Sequence, residues 1–139
     1  RISKKATEAL YEISEGDVRK IYNTLQSCAS LSKDITDDLI YETVSFAKPK
    51  DVKNILEIAI SGEFIKAREK LLKTMLEHGL SGLDIIRQIQ KETWELDIKN
   101  ENKLRLIEKC GEIEFRMVEG SDEFIQLEAL ISQFVLLGK

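Results

Sequence analysis

The chain has 139 residues, in which 21 lysines and arginines face 25 aspartates and glutamates for a formal charge of −4. That acidic balance argues against a stand-alone nucleic-acid binder, because phosphate contacts dominate such affinity and require a basic face; DNA binding by a larger assembly stays open. No apolar run approaches the roughly 20 residues that a bilayer-spanning helix requires. No signal peptide is visible, and because the chain opens on Arg1 without a methionine, an excised fragment is the simplest expectation.

Charged residues make up 33% of the chain, there is a single proline, and apolar residues recur at helical period almost throughout. The pattern predicts an all-α protein, as one domain or two small ones. The first helix is predicted over about Lys4 to Ser14. Gly16 suits a left-handed residue past its end, and Asp17 suits the N-cap of a second helix, Val18 to about Ala29. In that helix Val18, Ile21, Tyr22 and Leu25 recur at i, i+3, i+4 and i+7 and are expected to be buried. Arg19, Asn23 and Gln26 fall on a polar face. An arginine beside the positive end of a helix is poorly placed for stability. The same placement suits an anion held between the guanidinium and the helix terminus. Arg19 is therefore the candidate phosphate contact, with a solvated side chain or a salt bridge to Glu15 or Asp17 as the plainer reading.

Ser30 to Asp34 reads as a polar connector, and Thr36 with Asp37 or Asp38 starts a third helix running to about Phe46. Pro49 pushes Lys48 out of the α region and marks the best candidate domain boundary. Beyond it, helices are expected over about Asp51 to Ile60, Glu63 to Glu77, Ser81 to Leu96, Glu101 to Val118 and Asp122 to Leu137, punctuated by Gly62, Gly79, Gly82 and Gly120. Phe64, Ala67, Leu71, Met75 and Leu76 form one apolar stripe. In the last helix Phe124, Ile125, Leu127, Leu130, Ile131, Phe134, Val135, Leu136 and Leu137 cover more than half the circumference. Such a helix is either buried on two sides or meets another subunit.

Other chemistry finds little support. Cys28 and Cys110 belong to no Cys-x-x-Cys unit and read as buried thiols in a reducing compartment. His78, beside Gly79, reads as a capping or exposed residue with no partners at metal-ligand spacing, so no metal site is expected. Asp34, Asp37 and Asp38 read as helix-start carboxylates. Glu112, Glu114 and Glu119 with Lys109 and Arg116 read as a salt-bridged solvent face, and Trp94 as packed core.

A family resemblance runs the length of the chain. Gly16-Asp17-Val18-Arg19, followed by Leu25-Gln26, resembles the sensor-2 helix of the clamp-loader ATPases, in particular the small subunit of replication factor C. Glu12-Ile13-Ser14-Glu15 resembles the family's approach to that helix. Ile35-Thr36-Asp37 and Ala47-Lys48-Pro49 resemble its Ile-Thr-Asp and Ala-Arg-Pro segments. Gly62-Glu63-Phe64-Ile65-Lys66-Ala67-Arg68-Glu69-Lys70-Leu71 resembles its Gly-x-Phe-x-x-Ala-Arg-x-x-Leu helix. Gly79-Leu80-Ser81-Gly82, Gly111-Glu112, Val118-Glu119-Gly120 and Ile125-Gln126-Leu127-Glu128-Ala129-Leu130 continue the match. Ile21-Tyr22-Asn23 departs from the commoner Ala-Ile-Asn.

The resemblance implies a three-helix AAA+ lid over residues 1–48 and a five-helix clamp-loader collar over 49–139, an oligomerisation domain. It implies that Arg19 reaches the γ-phosphate of ATP, bound with Mg by an ATPase domain outside these residues. It further implies other clamp-loader subunits as partners in a pentameric ring, with a sliding clamp and primer–template DNA engaged through the ATPase domains. Location would be cytoplasmic in an archaeal cell and nuclear in a eukaryotic one, with no membrane partner. The Gly-x-x-x-x-Gly-Lys-Ser/Thr loop, the acidic metal-binding segment and the Ser-Arg-Cys arginine finger are missing from these residues, so the chain is not expected to hydrolyse ATP on its own. Two rival readings stand beside this one. A helical adapter would bind a protein partner, but the chain shows no second repeat copy. A small DNA reader would use the Val18–Ala29 helix, which carries one arginine.

Overall fold

The computed structural model describes residues 1–137. It is all-α: α1 (Lys4–Ser14), α2 (Val18–Leu31), α3 (Asp37–Thr43), α4 (Pro49–Ile60), α5 (Phe64–His78), α6 (Gly82–Thr93), α7 (Asn100–Val118) and α8 (Glu123–Leu137). The chain divides into two compact units, Arg1–Phe46 and Ala47 onward.

In the first unit α1, α2 and α3 pack around Ala6, Ala9, Leu10, Ile13, Cys28, Ile40 and Tyr41. Caps set the helix starts: Ser3 Oγ accepts from Ala6 N, Asp17 Oδ1 from Arg19 N, and Thr36 Oγ1 from Leu39 N. The N-terminal strand of chain is tied back by a one-residue parallel bridge, in which Ile35 N donates to Arg1 O (2.7 Å) and Ser3 N to Ile35 O (3.2 Å). Ser30 does not start the connector. Its hydroxyl donates to Ser27 O (2.7 Å), and α2 runs on to Leu31. α3 is shorter than the sequence suggests, ending at Thr43 because Ser45 turns left-handed at φ 51°.

The buried face of α2 also differs from expectation. Val18 and Tyr22 are 75% and 65% exposed, while Thr24 and Cys28 are buried and Ile21 and Leu25 half-buried. The helix is turned so that Cys28 joins the alanines of α1 in the core. The Cys28 thiol lies 3.5 Å from Thr43 Oγ1 on α3, a close approach that a tyrosine would block.

The second unit buries a larger core, drawn from Val52, Ile55 and Leu56 of α4, Ala67 and Leu71 of α5, Ile85, Ile86 and Ile89 of α6, Leu106, Cys110 and Ile113 of α7, and Leu127, Leu130, Ile131 and Phe134 of α8. α8 packs against α4, α5, α6 and α7 at once, which accounts for most of its apolar coverage. Leu130, Ile131 and Phe134 are 0% exposed, each burial contributing about 1.5–3 kcal/mol. Helix α4 starts at Pro49 itself, the proline taking the first helical position, where it has no N–H to satisfy. The break predicted at this point lies at Lys48, whose backbone is extended.

Two close approaches fix the packing. Gly82, the first residue of α6, sits against Glu123 and donates its N–H to Glu123 Oε2 (2.7 Å). Gln88, 5% exposed on α6, donates to Ala47 O (2.8 Å) and accepts from Ala47 N (3.1 Å). Two apolar assignments move outward. Leu76 is 84% exposed, and Trp94 is 50% exposed rather than core. Helix α6 ends at Thr93, which is fully buried with its hydroxyl on Ile89 O (2.7 Å), so the next residue points out and Leu96 takes the inward place.

Candidate functional site

The reversal between α1 and α2 places Arg19. Glu15 and Gly16 are both left-handed, at φ 50° and 87°. Asp17 N donates to Ser14 O (2.9 Å), and Gly16 N to the hydroxyl of buried Ser14 (3.4 Å). A left-handed glutamate costs about 1–2 kcal/mol, and the glycine after it carries no such penalty. The turn delivers Val18, Arg19 and Lys20 as the first turn of α2, all three exposed.

The helix terminus itself is occupied. Asp17 Oδ1 accepts from Arg19 N (2.9 Å) and Lys20 N (3.3 Å), and Asp17 O accepts from Ile21 N (3.1 Å). The amides of Arg19, Lys20 and Ile21 are thus already satisfied, and the carboxylate cap offsets the positive end of the dipole. An anion at this end relies chiefly on side chains, so the guanidinium-and-terminus cradle suggested by the sequence rests mainly on Arg19 with Lys20 beside it. Sequence reasoning missed Lys20, and it missed that Val18 and Tyr22 stand exposed beside Arg19, with Tyr11 exposed one turn before the reversal. The signal was present in a second stripe, Ile21, Thr24, Leu25 and Cys28, that shares two members with the predicted one.

Arg19 fits a phosphate oxygen, since a guanidinium presents several donors in one plane. Nothing here fits Mg: among the described residues no group of three or more His, Cys, Asp and Glu side chains converges. His78 closes α5 half-buried, with its Nδ1 buried and unpartnered. Cys110 is 2% exposed, and burial pushes its thiol up to about 12, which keeps it protonated and inert at neutral pH.

A second surface lies on the five-helix unit. Leu104, Phe115 and Val118 are 59%, 64% and 59% exposed, and with Glu108 and Gly111 they share one face of α7. On α8, Ile125 and Leu136 are 66% and 68% exposed and share a face with Ala129 and Ser132. These rows remain uncovered after the core is complete, a pattern that marks interaction surfaces.

The family pattern described as the replication factor C C-terminal domain matches residues 47–133. The chain belongs to that family. Over 138 residues, 99% of its length, it is 44% identical to the replication factor C small subunit of Pyrococcus furiosus and covers 16% of that protein. It is 42% identical over 138 residues to the small subunit of Methanocella arvoryzae, covering 99% of this chain and 43% of the relative. The small subunit of Staphylothermus marinus is 42% identical over 140 residues, covering 99% of this chain and 42% of the relative. The chain therefore spans less than half the length of these replication factor C relatives. The likeness takes in the three-helix unit as well as the matched domain, and no described helix is long and apolar enough to cross a membrane.

Proposed function

We propose that the chain is the C-terminal part of a clamp-loader small subunit, working in a protein that loads a sliding clamp onto primed DNA at the expense of ATP. The observation that carries this reading is the likeness to replication factor C small subunits over 99% of the chain, both units included. The first unit acts as the AAA+ lid and the second as the collar that joins the subunits in a ring of five. The nucleotide and its Mg belong to an ATPase domain outside these residues, which supplies the hydrolysis. The setting is the cytoplasm of an archaeal cell or the nucleus of a eukaryotic one, without a membrane.

Arg19 senses the nucleotide. Its guanidinium donates to the γ-phosphate when ATP is present and loses that acceptor after hydrolysis. Only such a differential contact can bias the lid between two positions. Each tenfold change in the balance corresponds to about 1.4 kcal/mol, within reach of one charge-assisted hydrogen bond. The exposed Val18 and Tyr22 supply an apolar seat beside the cation. The collar reading rests on the uncovered rows of α7 and α8, where a heterologous contact between identical subunits closes into a ring.

The test is Arg19→Ala in the full-length protein. It leaves far-UV circular dichroism and assembly unchanged while lowering ATP-driven clamp loading at least tenfold. Normal loading by that variant would remove the sensor role from Arg19.

A further inference from the structure

Within the five-helix unit α8 is the hub. Helices α4, α5, α6 and α7 all pack on it, and around it α5 packs on α4, α4 on α6 and α6 on α7. Helices α5 and α7 are not packed on one another, so they form the two ends of an arc around α8. Each end carries an uncovered apolar row. On α7 it is Leu104, Phe115 and Val118. On α5 it is Ile65 and Leu76, 63% and 84% exposed, with half-buried Leu72 between them. These three share a face, at i, i+7 and i+11.

Charge tells the two ends apart. Glu108 stands within the α7 row, and Glu101, Glu112 and Glu119 follow one edge of it. Arg105 and Lys109 engage Glu101 and Glu112, while Glu108 and Glu119 are exposed. On α5, Lys66 and Lys73 follow one edge of the row and Arg68, bonded to Glu128, the other, with Glu69 between. The Lys66–Glu63 and Lys73–Glu77 pairs, at 3.4 and 3.8 Å, are exposed and contribute little, so both cations can turn to a partner. Two α7 rows brought together would oppose glutamates, and two α5 rows would oppose lysines. An α5 row on an α7 row pairs opposite signs. Gly111 adds shape: it lies exposed in the middle of the α7 row, and a Cβ built on it meets open space. Glycine weakens the helix there and serves no contact inside the chain, but it lets another helix come close. We propose that the α5 row of a second copy docks on the α7 row over Gly111, so that each copy offers α5 to one neighbour and α7 to the other. Because the two rows differ, the contact is heterologous and repeats in one direction, as a ring requires. The proposal rests on the reading of the five-helix unit as a collar and supplies the face that meets α7.

Analytical ultracentrifugation of the full-length protein tests it by charge reversal. Lys66→Glu with Lys73→Glu, and separately Glu108→Lys with Glu119→Lys, each raise the dissociation constant of assembly by about tenfold or more. The chain carrying all four substitutions returns to within about threefold of the parent, because opposite signs face each other again. All four positions are exposed, so far-UV circular dichroism stays unchanged. Gly111→Leu weakens assembly by about tenfold or more, while its melting temperature stays at or above that of the parent, a pairing that a purely structural glycine would not give. The contact is overturned if the parent assembles and the α5 reversal leaves assembly unchanged, if the fourfold variant fails to recover, or if Gly111→Leu assembles as tightly as the parent. A parent protein that stays monomeric would overturn the contact and the collar reading together.

Discussion

Gly82→Ala is expected to destabilise the five-helix unit, although helix propensity alone predicts the opposite. Gly82 has no positive φ and lies at the start of α6, where alanine gains up to about 1 kcal/mol over glycine. The surroundings reverse the sign. A Cβ built on Gly82 falls 2.6 Å from Glu123 Cβ, 2.8 Å from Met117 Sδ and 2.9 Å from Glu123 Oε2. The methionine end can move and so can the carboxylate, but Glu123 Cβ is fixed to the first turn of α8, and relief there requires α6 and α8 to part. Overpacking of this kind costs about 1–3 kcal/mol. Displacing the Glu123 carboxylate from Gly82 N adds about 1.5–3 kcal/mol, the range for a hydrogen bond to a charged group. Set against the propensity gain, the net loss is about 2–5 kcal/mol. At about 4–8 °C per kcal/mol for a unit of this size, the melting temperature falls by about 8–40 °C. Differential scanning calorimetry reads it, and urea unfolding gives the free energy. Glu123→Ala leaves the Cβ clash in place but removes the carboxylate, so the double variant isolates that share in a mutant cycle. A neutral or stabilised Gly82→Ala would refute the argument that α6 and α8 are held at glycine distance.

Three further outcomes follow from burial and charge. Leu130→Asp or Phe134→Asp places a carboxylate at a fully buried site and is expected to cost about 4 kcal/mol or more, seen as loss of helical circular dichroism rather than as dissociation of a folded subunit. By contrast, Phe115→Asp and Ile125→Asp, both on exposed rows, are expected to leave circular dichroism intact and weaken assembly in light scattering of the full-length protein; unchanged assembly in both would remove α7 and α8 from the proposed ring contact. The Cys110 thiol rises from 9.0 to about 12 because burial disfavours its charged form. Its stabilising share is complete below the unfolded value and is lost as pH climbs towards the folded one. Stability of the parent chain therefore falls more steeply than that of Cys110→Ala between pH 9 and 12 in urea titrations, by up to about 1.4 kcal/mol per pH unit. Parallel slopes for the two proteins would show that the thiol does not ionise on unfolding.

The fold class and every helix were legible in the sequence because period, caps and glycines agree. Thr36, Asp17 and Ser81 each announce a helix start and each makes the cap it announces. What the sequence leaves open is rotation about a helix axis. In α2 two overlapping stripes share Ile21 and Leu25, and hydrophobicity favours the one containing Val18 and Tyr22. Packing chooses the other because Thr24 and Cys28 are small enough to let three short helices close on one another, a choice no periodicity count can see. The same ambiguity placed Leu76 and Trp94 inside. A single interior can use only one face of α5, and Thr93 outcompetes its bulkier neighbour by returning its hydroxyl to the helix.

The rotation of α2 bears on the site as well as the core. Had Val18 and Tyr22 been buried, Arg19 would stand alone among polar residues, and a solvated arginine would account for it. With the helix turned, the cation is flanked by exposed apolar side chains at a helix end where Asp17 already caps the Arg19 and Lys20 amides. Water gains nothing from that exposed valine and tyrosine, and the three-helix unit has no further core to offer them. A surface that pairs a cation with uncovered apolar groups is suited to a partner that brings both an anion and an apolar wall, as a nucleotide seated in a neighbouring domain does. On the proposed reading, the residues that sequence reasoning put on the wrong side of α2 are the ones that would make Arg19 part of a docking face instead of an isolated charge.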